Sequence, residues 1–162
     1  MDISAVATFK EQNRELQELV RELFLIRNHN LAFKPGEPLD KILLFAEAAL
    51  VLIAMERFLR IILPGEATDA DTLPNLLEKA TSKRIDLIRF HASTDRADAI
   101  RRIKDVRNSL LHGNYEQAAR QAGCANTLEY FQEQFTPEVE KLCQILDGMM
   151  KQIDVETGRR RT

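Results

Sequence analysis

The chain has 162 residues, 44% apolar and 30% charged, with six glycines, five prolines and no tryptophan. That length suits one domain, and that balance suits a globular chain that buries a core, which excludes a disordered or collagenous protein. The formal net charge of −2 hides an uneven distribution, because nine basic residues against four acidic ones between Lys79 and Arg107 make that stretch +5 and leave −7 elsewhere.

The first residues, MDISAVATFKEQ, carry two acids and lack a basic stretch followed by an apolar run, so no secretory signal is expected. From 5 to 27, Val6, Phe9, Leu16, Leu19, Val20, Leu23 and Phe24 recur by threes and fours, which predicts an amphipathic helix. Pro35, Gly36 and Pro38 predict a loop over 31–40, with Asp40 as the cap of the next helix. Residues 41–63 are apolar on nearly every side as far as Met55, the pattern of a helix buried all round. Its longest apolar stretch, Ile42 to Met55, is 14 residues and contains Glu47, too short to span a membrane. The expectation is a cytoplasmic protein with no membrane contact.

PGEATDAD over 64–71 ends that helix, and Thr72 to Ser82 predicts a shorter one with Pro74 in its first turn. A helix from Thr94 to His112 carries Ala99, Ile100, Ile103, Val106, Leu110 and Leu111 on one stripe, and Gly113 stands where a glycine stops a helix. Its cations suit a phosphate backbone, with Arg101, Arg102 and Lys104 as candidate RNA contacts. The alternative is pairing along a solvated face, which Asp98 with Arg102 and Arg101 with Asp105 would allow. Tyr115–Gln121 and Thr127–Phe135 predict short helices, and Pro137 to Ile153 a final amphipathic one whose Met149 and Met150 fill core. No strand pattern occurs, so the class is all-α, in a bundle of five or more helices. Residues 154–162 form a polar, basic tail.

Catalytic signals are few. Cys124 and Cys143 cannot build a disulfide framework or a four-ligand zinc site and point to reduced thiols, and His29, His91 and His112 are scattered without metal-ligand spacing, so no metal or cofactor is expected. What stands out is V-R-N-S-L-L-H-G-N-Y over 106–115. Arg107 falls four positions after Ile103 and so inside the apolar stripe, where an always-charged guanidinium must be paired or must face a cleft. Asn108 and His112 share another face, and His112 lies at the negative end of the helix dipole, which favours its imidazolium form. Such a group suits acid/base work on a phosphodiester. The alternatives are an Arg107 pair with Glu47 or Glu56 and a histidine that merely ends the helix.

R-N-S-L-L-H resembles the R-x(4–6)-H motif of the HEPN superfamily, down to the polar residue after the arginine and the glycine after the histidine. A-M-E-R-F-L-R-I-I-L (54–63), then T-L-P-N-L-L-E-K-A (72–80), the motif helix and a final amphipathic helix are similar to the family's helical order over roughly 39–153. Residues 1–30 would then pack on or extend that domain. The resemblance implies a homodimer with facing motif helices and a composite, metal-independent endoribonuclease site of a toxin–antitoxin, phage-defence or stress-response protein.

In that site Arg107 would hold the scissile phosphate, His112 would move protons during attack by the RNA 2′-hydroxyl, and Asn108 would orient one or the other. Glu56 resembles an acidic residue seen on the family's preceding helix, although pairing with Arg60 four residues on is an equal reading. The tyrosine that some toxins inactivated by a nucleotidyltransferase carry two residues after the histidine is displaced here, with Asn114 at that position and Tyr115 next. Many relatives of this kind are instead non-catalytic modules that dimerise and bind a nucleotide or a protein.

Overall fold

A computed structural model describes residues 3–31, 38–82 and 96–159, and among them there are helices and short connections but no strand. The all-α expectation holds, with more than five helices. Contacts divide the chain into two units, Met1–Leu76 and Leu77–Thr162. None of the described helices is long and apolar enough to cross a membrane.

In the first unit, α1 (Ile3–Leu31) packs against α2 (Pro38–Ile62). The pairing is antiparallel, since Arg27 near the end of α1 reaches Glu47 at 3.2 Å while Glu15 reaches Arg57 at 3.4 Å. Leu16, Val20 and Leu23 of α1 are buried at the spacing that the sequence predicts, as are Ala48, Val51, Leu52, Met55, Phe58 and Leu59 of α2. Two expectations fail on α2. The helix begins at Pro38, whose missing N–H costs nothing in a first turn, so Asp40 lies inside it rather than capping it. It is also not buried all round: Ile42 is 64% and Ile53 46% exposed, because a continuous apolar run supplies more apolar surface than the helix covers. Of the loop predicted over 31–40, Leu31 and residues 38–40 are helical and residues 32–37 lie outside the described residues, as do His91 and the predicted helix start at Thr94.

Arg60 organises the connection after α2. It donates from Nε and Nη2 to Glu56 Oε1, from Nη1 to the Thr68 carbonyl at 2.9 Å and from Nη2 to the Asp71 carbonyl at 3.2 Å. The Asp71 carboxylate in turn accepts from the Thr68 backbone N–H at 2.7 Å. Two turns are thereby pinned to the end of α2 just before α3 (Leu73–Ser82), which buries Leu73, Leu76, Leu77 and Ala80.

In the second unit, α4 (Arg96–His112) packs on α7 (Thr136–Arg159), with α5 (Tyr115–Gln121) and α6 (Thr127–Tyr130) between them in the chain. Ile103 and Val106 meet a core that contains Phe131, Phe135, Val139, Leu142, Ile145, Leu146 and Met149. Asn126 caps α6 by accepting from the Glu129 N–H at 3.0 Å, and the Glu129 carboxylate reaches back to the Ala125 N–H. The helix expected over Thr127–Phe135 and the one expected from Pro137 are joined. Between them Phe131–Phe135 forms a π turn that runs straight into α7. Pro137 explains the wider turn: a proline there can neither donate to the carbonyl four residues back nor tolerate its approach, and a π turn relieves both. The helix continues to Arg159, past the start of the predicted polar tail at 154.

Candidate functional site

The stretch 106–115 occupies the last turns of α4 and the step into α5. Gly113 ends α4 with φ +61°, a left-handed conformation open to glycine without strain, and its N–H bonds the Ser109 carbonyl at 3.1 Å. The chain then turns so that Tyr115 folds back under the helix end. Its hydroxyl donates to the Leu110 carbonyl at 3.3 Å, and its ring lies 5.0 Å from Phe131 and 6.4 Å from Phe135. Burial, and secondarily neighbouring Tyr130, hold the Tyr115 hydroxyl above its ordinary pKa of 10.0, so it remains a donor at neutral pH.

Ile103 and Val106 form the buried side of α4. Arg107 stands at the edge of that side and is half-buried, while Asn108 is half-buried and His112 exposed. Among the described residues of this unit, Arg107's one polar contact is with its neighbour: Nη1 donates to Asn108 Oδ1 at 3.5 Å. That long contact occupies one of the guanidinium's five donors. Leu111, placed by sequence on the apolar stripe, is instead 61% exposed beside the motif. At 100° per residue it lies about 140° from Val106, too far round to share that helix's buried side.

The two carboxylates weighed as partners for Arg107 hold other arginines: Glu47 pairs with Arg27 at 3.2 Å and Glu56 with Arg60 at 2.9 Å. The local pairing expected among the cations is present in altered form. Arg101 pairs with Asp98 three residues back, and Arg102 turns toward α7, its Nε 3.3 Å from Glu138 Oε2. Lys141 meets the other Glu138 oxygen at 2.6 Å. Arg102 is thus part of the joint between α4 and α7, whereas Arg101 and Lys104 are exposed.

Comparison with family models, with characterised proteins and with solved structures finds no match for this chain. The chemistry of the site therefore rests on its own residues. A phosphate could accept from Arg107 and from the Asn108 amide, while the exposed imidazole of His112 can give or take a proton. No group of three His, Cys, Asp or Glu side chains that could hold a metal ion occurs among the described residues. Burial first, then Glu129 and Glu133, raises the Cys124 thiol pKa, the direction opposite to thiol activation.

Sequence reasoning misses the aromatic seat under the helix end. It singles out Tyr115 only for its place after the histidine, and the rings that Tyr115 meets lie 16 and 20 positions away. Their common helical spacing of four is the one available signal.

Proposed function

We propose that the chain is a metal-independent endoribonuclease of HEPN type, acting as a homodimer in which two copies of the α4 end form one site. The observation that carries this reading is the open state of the motif: among the described residues of its unit, Arg107 has one polar contact, with Asn108, and His112 is exposed at a helix end closed by Gly113. Residues serving stability alone are ordinarily consumed by partners, as Arg60 and Arg102 are.

In the proposed reaction Arg107 neutralises the scissile phosphate through a bidentate fork. One histidine takes the proton of the RNA 2′-hydroxyl as O2′ bonds to phosphorus. The bond from phosphorus to O5′ breaks, and the protonated histidine of the second copy gives its proton to O5′. The products carry a 2′,3′-cyclic phosphate and a 5′-hydroxyl. A toxin–antitoxin, phage-defence or stress-response role follows from the resemblance, with an antitoxin or a nucleotidyltransferase as the regulating partner.

The test is cleavage of single-stranded RNA by the purified full chain with end-group analysis, in buffer with and without EDTA, beside His112→Ala. Cyclic-phosphate ends that persist in EDTA and vanish in His112→Ala are expected. Loss of cleavage in EDTA would remove His112 from the proton-transfer role. A second reading, a non-catalytic module that dimerises and binds a nucleotide or a protein, draws on Leu111, whose exposed side chain beside Arg107 suits a protein contact. It wins if no cleavage occurs while Leu111→Asp abolishes self-association measured by light scattering.

A further inference from the structure

The last turn of a helix has carbonyls without intrahelical donors, and it frays unless something outside the helix holds it. In α4 that turn carries His112. Among the described residues two donors hold it: the Gly113 N–H on the Ser109 carbonyl, and the Tyr115 hydroxyl on the Leu110 carbonyl. The second is not local to the helix. Tyr115 is fixed in turn by Phe131 at 5.0 Å and Phe135 at 6.4 Å, and those two rings pack edge to face with centroids 5.1 Å apart. Both phenylalanines are buried, and they are the first and last residues of the π turn. A π turn is rare and costs helix geometry. Spaced four apart, the two rings stand on one side of the helical turn, and both meet Tyr115.

We infer that Tyr115 is a positioning residue for the Arg107–His112 pair, fixing the end of α4 on an aromatic seat formed by Phe131 and Phe135. The inference rests on the ribonuclease reading only for its kinetic consequence. A hydroxyl that secures a carbonyl two residues before His112 sets where the imidazole stands relative to Arg107, one and a half turns up the same helix. Displacements of about 1 Å in such a group can cost a hundredfold in rate. Because Tyr115 touches neither phosphate nor base in this scheme, its loss acts on turnover rather than on RNA affinity.

The experiment compares the full-length wild type with Tyr115→Phe, which keeps the ring stack and removes only the hydroxyl, and with Phe135→Leu, which disturbs the seat while leaving the hydroxyl. Hydrogen exchange at the amides of Leu111, His112 and Gly113, together with the His112 ring signals in NMR, gives a readout independent of activity. In Tyr115→Phe these amides should exchange at least severalfold faster and the ring signals should move, with the melting temperature nearly unchanged. The cleavage kcat should fall roughly tenfold or more with KM within twofold. Phe135→Leu should show the same loss of kcat together with a lower melting temperature. Unchanged exchange and ring signals in Tyr115→Phe overturn the inference, and so does faster exchange with full kcat. If the wild type itself does not cleave RNA, the ribonuclease reading fails separately, and the exchange and ring signals alone decide the role of Tyr115.

Discussion

Tyr115 and the Arg27–Glu47 pair show how single side chains tie stability to position. Burial raises the Tyr115 pKa in the folded state above its unfolded value, so the native protein holds that proton more tightly. The stabilisation is therefore complete below pH 10 and is lost as pH climbs through the raised folded value. Alkaline titration monitored by circular dichroism should show this loss in the wild type and a smaller one in Tyr115→Phe. Glu47 is only 5% exposed, and Arg27 supplies one of its contacts. Arg27→Met should cost about 1–3 kcal/mol in urea unfolding, because it removes a charged donor from a buried carboxylate. The placement of Arg107, Asn108 and His112 in the last turns of α4 is legible in the sequence, since helical spacing and a stop glycine fix it. The aromatic seat is not, because a contact across 16 residues depends on how α7 packs and on no local propensity.

Helix existence is readable from apolar spacing, whereas helix ends and joints are governed by backbone chemistry that the pattern does not encode. The start of α2 moves to Pro38 because the first turn tolerates proline, and the break expected before Pro137 becomes a π turn because the wider turn absorbs the same residue. The run 42–55 misleads in another way: its composition reports how much could be buried, not how much is, and Ile42 and Ile53 remain open. Gly113 is the joint that decides the site. A Cβ added there would meet nothing within 4 Å, so the cost of substitution is backbone strain alone. Gly113→Ala should destabilise by about 1–2 kcal/mol, and Gly113→Asn by less, since asparagine tolerates the left-handed region better. Thermal unfolding of both variants checks this ordering. The same strain, by pulling at the end of α4, should lower turnover more in Gly113→Ala than in Gly113→Asn.

At the scale of the whole molecule the motif, its aromatic seat and the exposed cations of α4 all fall in the second unit, while Glu47 and Glu56 belong to the first, where each holds an arginine. The chain's −2 charge alone would predict weak attraction for RNA, so on the proposed reading binding comes from the local +5 segment and should be steeply salt-dependent. Its three candidate cations are not equivalent. Arg102 is spent on Glu138, Arg101 is paired with Asp98 on an exposed face, and Lys104 is exposed. If Lys104 neutralises one phosphate of a single strand, Lys104→Gln should reduce the slope of log affinity against log salt by about 0.7. Arg102→Gln should leave that slope unchanged and act on stability instead, by uncoupling α4 from a Glu138 carboxylate that has a buried oxygen to satisfy. Arg107→Lys keeps the charge and loses the fork, so the slope should stay while affinity and cleavage both fall. Fluorescence anisotropy of a labelled oligoribonucleotide across a salt series separates the three. A flat salt dependence in the wild type would mean that the segment's charge is neutralised within the protein, leaving no basic surface for RNA.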